Sequence, residues 1–219
     1  MNSTDGNAKK IFYGSALLVI AVGIVSTLYY AYLMPLHVDE GAFWFHYTNK
    51  SYQYRFMPNA FNAVHTLTIY LAKISLWLFG NNGIGLRLPV IIFAILSAGA
   101  LYFFVKKLTG SKTTGMLASA LLYLNPFFLH YAHELRGYPA YFFVLVCFYL
   151  CFIRLLEKGN QFSTWAMLFV LFIACYLTNL AAPIFFVVFL ASIWILVILR
   201  SYAPVGDRVP ELRKIHRGS

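Results

Sequence analysis

Apolar residues in this chain run in long blocks instead of alternating or recurring on one face. Six blocks, 11–33, 86–105, 114–129, 139–156, 164–180 and 182–199, approach or exceed the roughly 20 residues with which a helix crosses a hydrocarbon core of about 30 Å. The last two almost fuse. They predict a tight helical hairpin turning at 179–183, where Pro183 opens the second helix at its first turn. A seventh segment, 63–79, has a different pattern. Its polar neighbours Asn62, Thr66 and Lys73 are spaced by four and seven and share a helical face, His65 lies beside that face, and Leu67, Ile74 and Leu78 fall elsewhere. This periodicity predicts an amphipathic helix lying in the membrane interface.

The blocks predict an all-α, polytopic integral membrane protein with about six transmembrane helices and one interfacial helix. Composition agrees: the chain is 61% hydrophobic and 11% charged, where soluble domains run at about 45–50% and about 25%. The net charge of +10 does not point to nucleic acid, because the basic residues are scattered between apolar blocks. They read as topology signals and as contacts to anionic lipid head groups. With segment 63–79 interfacial and the N-terminus cytoplasmic, 12 of the 17 basic residues fall on the inner side, among them Lys9, Lys10, Lys106, Lys107, Lys112, Arg154 and Lys158. The outer side holds Lys50, Arg55, Lys73, Arg87 and Arg136. Counting 63–79 as a span would move Lys106, Lys107 and Lys112 outside, so the positive-inside rule favours six spans. The expected organisation is a cytoplasmic N-terminus at 1–10, a transmembrane module at 11–200 with a long outer loop at 34–85, and a basic cytoplasmic tail at 201–219. The block after Lys9-Lys10 is too long for a signal-peptide core and reads as a retained anchor. Cys147, Cys151 and Cys175 all lie in apolar blocks and read as packing residues.

Two polar clusters break the apolar pattern, and this topology places both on the outer side. They are His37-Val38-Asp39-Glu40 and His130-Tyr131-Ala132-His133-Glu134-Leu135-Arg136-Gly137-Tyr138. Three of the chain's seven acidic residues lie in them. Ionisable groups near lipid are costly and tend to be kept for a task. A partly desolvated carboxylate at Asp39 or Glu40 suits a general base; the bland alternative is a solvated loop acid or the N-cap of a helix beginning at Gly41. Arg136 offers a planar fork for phosphate oxygens and Tyr138 a hydroxyl donor. Their structural alternative is pairing of Arg136 with Glu134 or lipid, and Tyr138 in the aromatic belt. Arg87, just before a block, reads first as an anchor. His37, His130, His133, Asp39, Glu40 and Glu134 form a loose set of metal-ligand types without the His-Glu-x-x-His order of zinc hydrolases.

Together these segments resemble the N-terminal half of polyprenyl-phosphate-sugar-dependent glycosyltransferases of the GT-C fold, which include protein O-mannosyltransferases and the aminoarabinose transferases of lipid A. The resemblance is carried by Asp39-Glu40-Gly41 after the first span, Trp77-Leu78-Phe79-Gly80-Asn81-Asn82, Gly85-Leu86-Arg87-Leu88-Pro89, Lys106-Lys107-Leu108-Thr109-Gly110, and Glu134-Leu135-Arg136-Gly137-Tyr138. It implies a GT-C type module of the plasma membrane (a bacterial inner membrane) that moves a sugar from a lipid-linked donor to an extracytoplasmic acceptor. It assigns Asp39 as the catalytic base with Glu40 beside it, and Arg136, Tyr138 and Glu134 to the donor phosphate. His65, Arg87 and His133 are accessory candidates. No cofactor is required by this chemistry, with a divalent cation left open, and the partners expected are the lipid-linked donor and membrane lipids, not nucleic acid. Family members carry more spans, which leaves open whether this portion acts alone. The alternatives are a membrane-embedded metal-dependent hydrolase or lipid phosphatase, and a non-catalytic polyprenyl-phosphate-binding protein.

Overall fold

The computed structural model describes residues 3–41, 44, 65–158, 161–179 and 182–202. Among these residues there is no strand. The helices are α1 (Ser3–Leu33), α2 (Thr66–Phe79), α3 (Gly83–Thr109), α4 (Lys112–Leu124), α5 (Pro126–Ala132), α6 (Tyr138–Lys158), α7 (Phe162–Thr178) and α8 (Ala182–Tyr202). The chain divides into two compact units, Met1–Leu180 and Ala181–Ser219. The first carries α1 to α7 and the candidate site. The described part of the second is α8, which starts at Ala182 with Pro183 in its first turn. Residues 180–181 of the expected hairpin turn, Lys50, Arg55 and Asn62, and the tail from 203 onward lie outside the described residues.

Three described helices are long and apolar enough to cross a membrane: Asn7–Leu33, Gly83–Thr109 and Tyr138–Glu157. The protein is an all-α membrane protein. Leu17, Leu18, Val22, Val25 and Leu28 on α1 remain exposed, a surface suited to lipid and unsuited to water. α7 is a shorter apolar helix. The block at 114–129 requires a correction, since it is two helices and not one. Asn125 closes α4 and caps α5, its side chain accepting hydrogen bonds from the N–H groups of Phe127 and Phe128 at 2.9 and 3.2 Å. Pro126 takes the first position of α5, where its missing N–H costs nothing, and it disfavours helical geometry at residue 125.

Buried hydroxyls and close backbone approach join the helices. Ser119 on α4 donates to the Ala98 carbonyl on α3 at 2.7 Å, and Ser97 on α3 donates to the Pro139 carbonyl on α6 at 3.1 Å. In lipid such bonds and tight packing replace the hydrophobic drive, which is absent where solvent and core are equally apolar. Gly23 on α1 lies against the Tyr123 ring of α4, and a Cβ there would meet the ring at 2.5 Å.

The helices of the first unit alternate in direction. Tyr13 near the start of α1 bonds Thr113 at the start of α4 (3.1 Å), and Lys107 at the end of α3 pairs with Glu157 at the end of α6 (2.8 Å). These contacts define one end of the unit. The opposite end gathers the end of α1, the starts of α3 and α6, and the end of α7. α2 both starts and finishes at that opposite end: its N-cap residue His65 bonds Thr178 at the end of α7, and its C-terminus leads through Gly80–Asn82 into α3. A helix with both ends on one side does not cross.

On α2, Thr68, Ala72, Ser75 and Leu76 are buried, while Ile74, Trp77, Leu78 and Phe79 are exposed. Three of the four inward side chains are small or hydroxylic, while those exposed at 74 and 77–79 are large and apolar, as close packing on α3 favours.

Candidate functional site

The site begins with a buried carboxylate. After α1 the chain turns at Met34 and re-enters a helical turn at 38–41, so His37 holds the cap position and the N-cap reading of Asp39 is replaced. Glu40, three residues on, reaches back to accept the His37 N–H at 2.9 Å, the backward half of a capping box. Its oxygens also accept the Arg87 Nε–H at 2.9 Å, an Arg87 Nη2–H at 2.6 Å and the Leu135 N–H at 2.7 Å. Four bonds saturate the carboxylate.

Arg87 is equally committed. Besides its two bonds to Glu40, it donates to the carbonyls of Ala31 (2.8 Å), Met34 (2.9 Å) and Pro35 (2.9 Å). A guanidinium has five N–H donors, and all five are used. The carbonyls belong to the end of α1 and the turn after it, where helical acceptors lack partners. Burial by itself pushes the Glu40 carboxyl up. The hydrogen bonds from Arg87 and from the His37 and Leu135 backbone, with the guanidinium charge, outweigh that effect and bring its pKa below the ordinary 4.5.

Glu40, expected beside the base, thus spends its oxygens on these four bonds, and Arg87, an accessory candidate, spends its donors on Glu40 and three carbonyls. Both residues join the end of α1, the start of α3 and the loop before α6.

The next residue pair along the same two strands of chain is open to solvent. Asp39 forms an ion pair with Arg136, the side chains being 38% and 26% exposed. Arg136 Nε also lies 3.9 Å from Glu134 Oε2, and His130 Nε2 lies 3.4 Å from Glu134 Oε1. Glu134 is therefore placed to steady Arg136; as an acceptor-only carboxylate it offers no hydrogen to a phosphate. The backbone of Arg136 is held by its own N–H to the Glu134 carbonyl (2.6 Å) and by Leu135, whose side chain packs with Ala72, Leu76, Leu86 and Val90.

His65 and Tyr138 complete the group. A carbonyl cannot donate, so the 2.9 Å contact between His65 Nδ1 and the Thr178 oxygen places the proton on Nδ1 and leaves Nε2 as an acceptor. Burial pushes the His65 pKa below its ordinary 6.5; the Arg136 charge adds to this, and the Thr178 contact and Asp39 oppose it. The ring meets Tyr138 edge-on at 5.2 Å, and Tyr138 meets Tyr131 at 4.6 Å. Gly137 makes this approach possible, since a Cβ there would collide with His65 Nδ1 and the Thr178 carbonyl.

His133 donates through Nδ1 to the Leu129 carbonyl at 2.8 Å, with its ring 5.6 Å from that of Tyr30. Burial lowers its pKa as well. Among the described residues no three His, Cys, Asp or Glu side chains are grouped to hold a metal ion. The six metal-ligand types singled out in the sequence are thus near one another without forming such a site.

The structure therefore brings together Asp39, Arg136, Glu134, Tyr138 and His65, and sets Glu40 and Arg87 beneath them as a clamp. Sequence reasoning missed the Leu135 N–H, the Thr178 carbonyl and Gly137. Only Gly137, a glycine between two functional candidates, carried a visible signal.

Residues 65–205, more than half of the chain, match the family described as dolichyl-phosphate-mannose-protein mannosyltransferase. The match includes His65, Arg87, Glu134, Arg136 and Tyr138. No curated protein and no solved structure matches the chain. An all-helical membrane architecture, ionisable groups gathered at one end of the unit and this match lead to one conclusion: the chain belongs to the dolichyl-phosphate-mannose-protein mannosyltransferase family.

Proposed function

We propose that the chain carries the catalytic end of a glycosyltransferase that moves a sugar from a polyprenyl-phosphate carrier to an acceptor hydroxyl on the extracytoplasmic face. The observation that carries this reading is the solvent-accessible Asp39–Arg136 pair: a carboxylate and a guanidinium in contact, fixed at one end of a membrane bundle. Asp39 takes the proton of the acceptor hydroxyl. The acceptor oxygen bonds to the sugar's anomeric carbon as the bond from that carbon to the phosphate oxygen breaks. The electron pair stays on the phosphate, where Arg136 and the Tyr138 hydroxyl stabilise the growing charge. The sugar arrives already activated, so no nucleotide-binding element is needed.

The test is turnover of a lipid-linked sugar by the full chain reconstituted in lipid. Asp39→Asn keeps size and removes the base, and general-base assistance contributes typically 10²–10⁴-fold. The expected result is a loss of about 10²-fold or more, with the protein still inserted and helical. Turnover within a few-fold of wild type ends the assignment of Asp39 as base.

A further inference from the structure

We propose that Arg136 gates Asp39: the resting ion pair keeps base and cation engaged with each other, and a donor phosphate draws Arg136 away and frees the carboxylate for the acceptor. This rests on the reading of Arg136 as the donor-phosphate residue.

The two partners are held very differently. Asp39 adjoins Glu40, whose bonds to Arg87, to His37 and to Leu135 anchor that stretch of chain. Asp39, a short side chain on that anchored stretch, has little reach to follow a moving guanidinium. Arg136 is held by its backbone and by Leu135, while its long side chain, with more rotatable bonds than that of Asp39, lies partly in solvent. Its second carboxylate neighbour, Glu134, stands at 3.9 Å, beyond a tight hydrogen bond. A carboxylate of short reach facing an adjustable cation is an exchange site.

Each partner quenches the other. The pair occupies the guanidinium that would meet phosphate and the carboxylate that would meet the acceptor hydroxyl. A phosphate presents oxygens that match the guanidinium fork and competes for it with charge-assisted bonds. Donor binding then comes before activation of the base, so a free acceptor is not deprotonated without a sugar in place. The reverse exchange resets the site. Transfer leaves a phosphomonoester on the carrier and the acceptor's proton on Asp39. Once that proton passes to water, Asp39 again competes for Arg136 and helps to expel the spent carrier.

A carboxylate that merely repels phosphate lowers donor affinity whether or not Arg136 is present, whereas a gate lowers it only through Arg136. The experiment is binding of a short-chain polyprenyl monophosphate to the full chain in lipid nanodiscs, with neutral polyprenol and inorganic phosphate as comparison probes. Wild type, Asp39→Asn, Arg136→Ala and the double variant are measured, with Asp39→Ser as a second removal of the carboxylate and helical content checked for each. Partly exposed ion pairs are weak, so Asp39→Asn and Asp39→Ser are expected to bind about two- to fivefold tighter than wild type. Arg136→Ala is expected to bind more weakly, and the double variant no better than Arg136→Ala. If Arg136→Ala weakens binding while both Asp39 variants bind like wild type or worse, the gate is overturned and the donor assignment stands. If Arg136→Ala binds like wild type, the donor assignment falls and the gate falls with it.

Discussion

Glu40 and Arg87, 47 residues apart in the chain, meet through parallel hydrogen bonds of 2.9 and 2.6 Å with almost no exposure to solvent. A buried ion pair is in general weak evidence for stability, because desolvation offsets attraction. Here every remaining donor and acceptor of both groups is also satisfied, and the partners lie on three separate pieces of chain. The pair acts as a fixture that places Asp39 and Arg136, the residues next to Glu40 and Leu135, within reach of each other.

Breaking that fixture has a defined consequence. Glu40→Gln turns an N–H toward donors already in place and leaves Arg87 without its counter-charge. Removing one partner of a buried pair costs about 3–5 kcal/mol, so Glu40→Gln is expected to lower thermal stability in detergent by that amount. Arg87→Lys is expected not to restore it, because an ammonium cannot reproduce the planar fork. A Glu40→Gln protein that melts with wild type would remove the clamp from the account.

Gly137 offers a more local test. A methyl at this position meets the Thr178 carbonyl and the His65 ring, and a backbone oxygen cannot yield as a flexible side chain does. Overpacking of this kind costs about 1–3 kcal/mol. Gly137→Ala is expected to lose stability in that range and to weaken polyprenyl-phosphate binding by displacing Arg136 and Tyr138. Unchanged melting and unchanged binding together would show that the loop before α6 has room to move.

Acid has a predictable sign. His65 and His133 have pKa values below the ordinary 6.5, chiefly through burial. Below pH 6.5 the unfolded chain therefore binds more protons at these rings than the folded one does. Their contribution is full above that pH and is lost as pH falls through the depressed folded values. Glu40, lowered from 4.5, behaves likewise at more acid pH. Thermal melting is expected to be flat from pH 8 to 7 and to decline from pH 6.5 downward. His65→Gln, which keeps a donor for Thr178, is expected to flatten part of that decline. A rise in stability between pH 6.5 and 5.5 would contradict the buried, neutral imidazoles.

Lys107 and Glu134 stand at opposite ends of the first unit, and the positive-inside rule predicts that the Lys107 end faces inward. Single cysteines introduced in a background lacking Cys147, Cys151 and Cys175 decide the orientation. A membrane-impermeant reagent applied from outside is expected to label position 134 and not 107. The opposite pattern would invert the proposed topology.

The apolar blocks determined by themselves that the chain is helical and membrane-embedded, and they located α1, α3, α6 and α7 closely. Charge patterning also picked out both polar clusters before any contact was known. Residue type alone, however, treated Asp39 and Glu40 as near equivalents. The tertiary structure separated them: Glu40 meets Arg87 and the Leu135 N–H across 47 and 95 residues, whereas Asp39 meets Arg136 at the surface. It likewise tied His65 to Thr178 across 113 residues. Local periodicity carries no information about such partners. For a related reason the sequence did not say which face of α2 is buried: lipid and protein interior are alike in polarity, so an apolar helix does not declare which side it buries. What decides that is size and fit against a neighbour, as Ala72 shows on α2, and fit exists only once the neighbouring helices are in place.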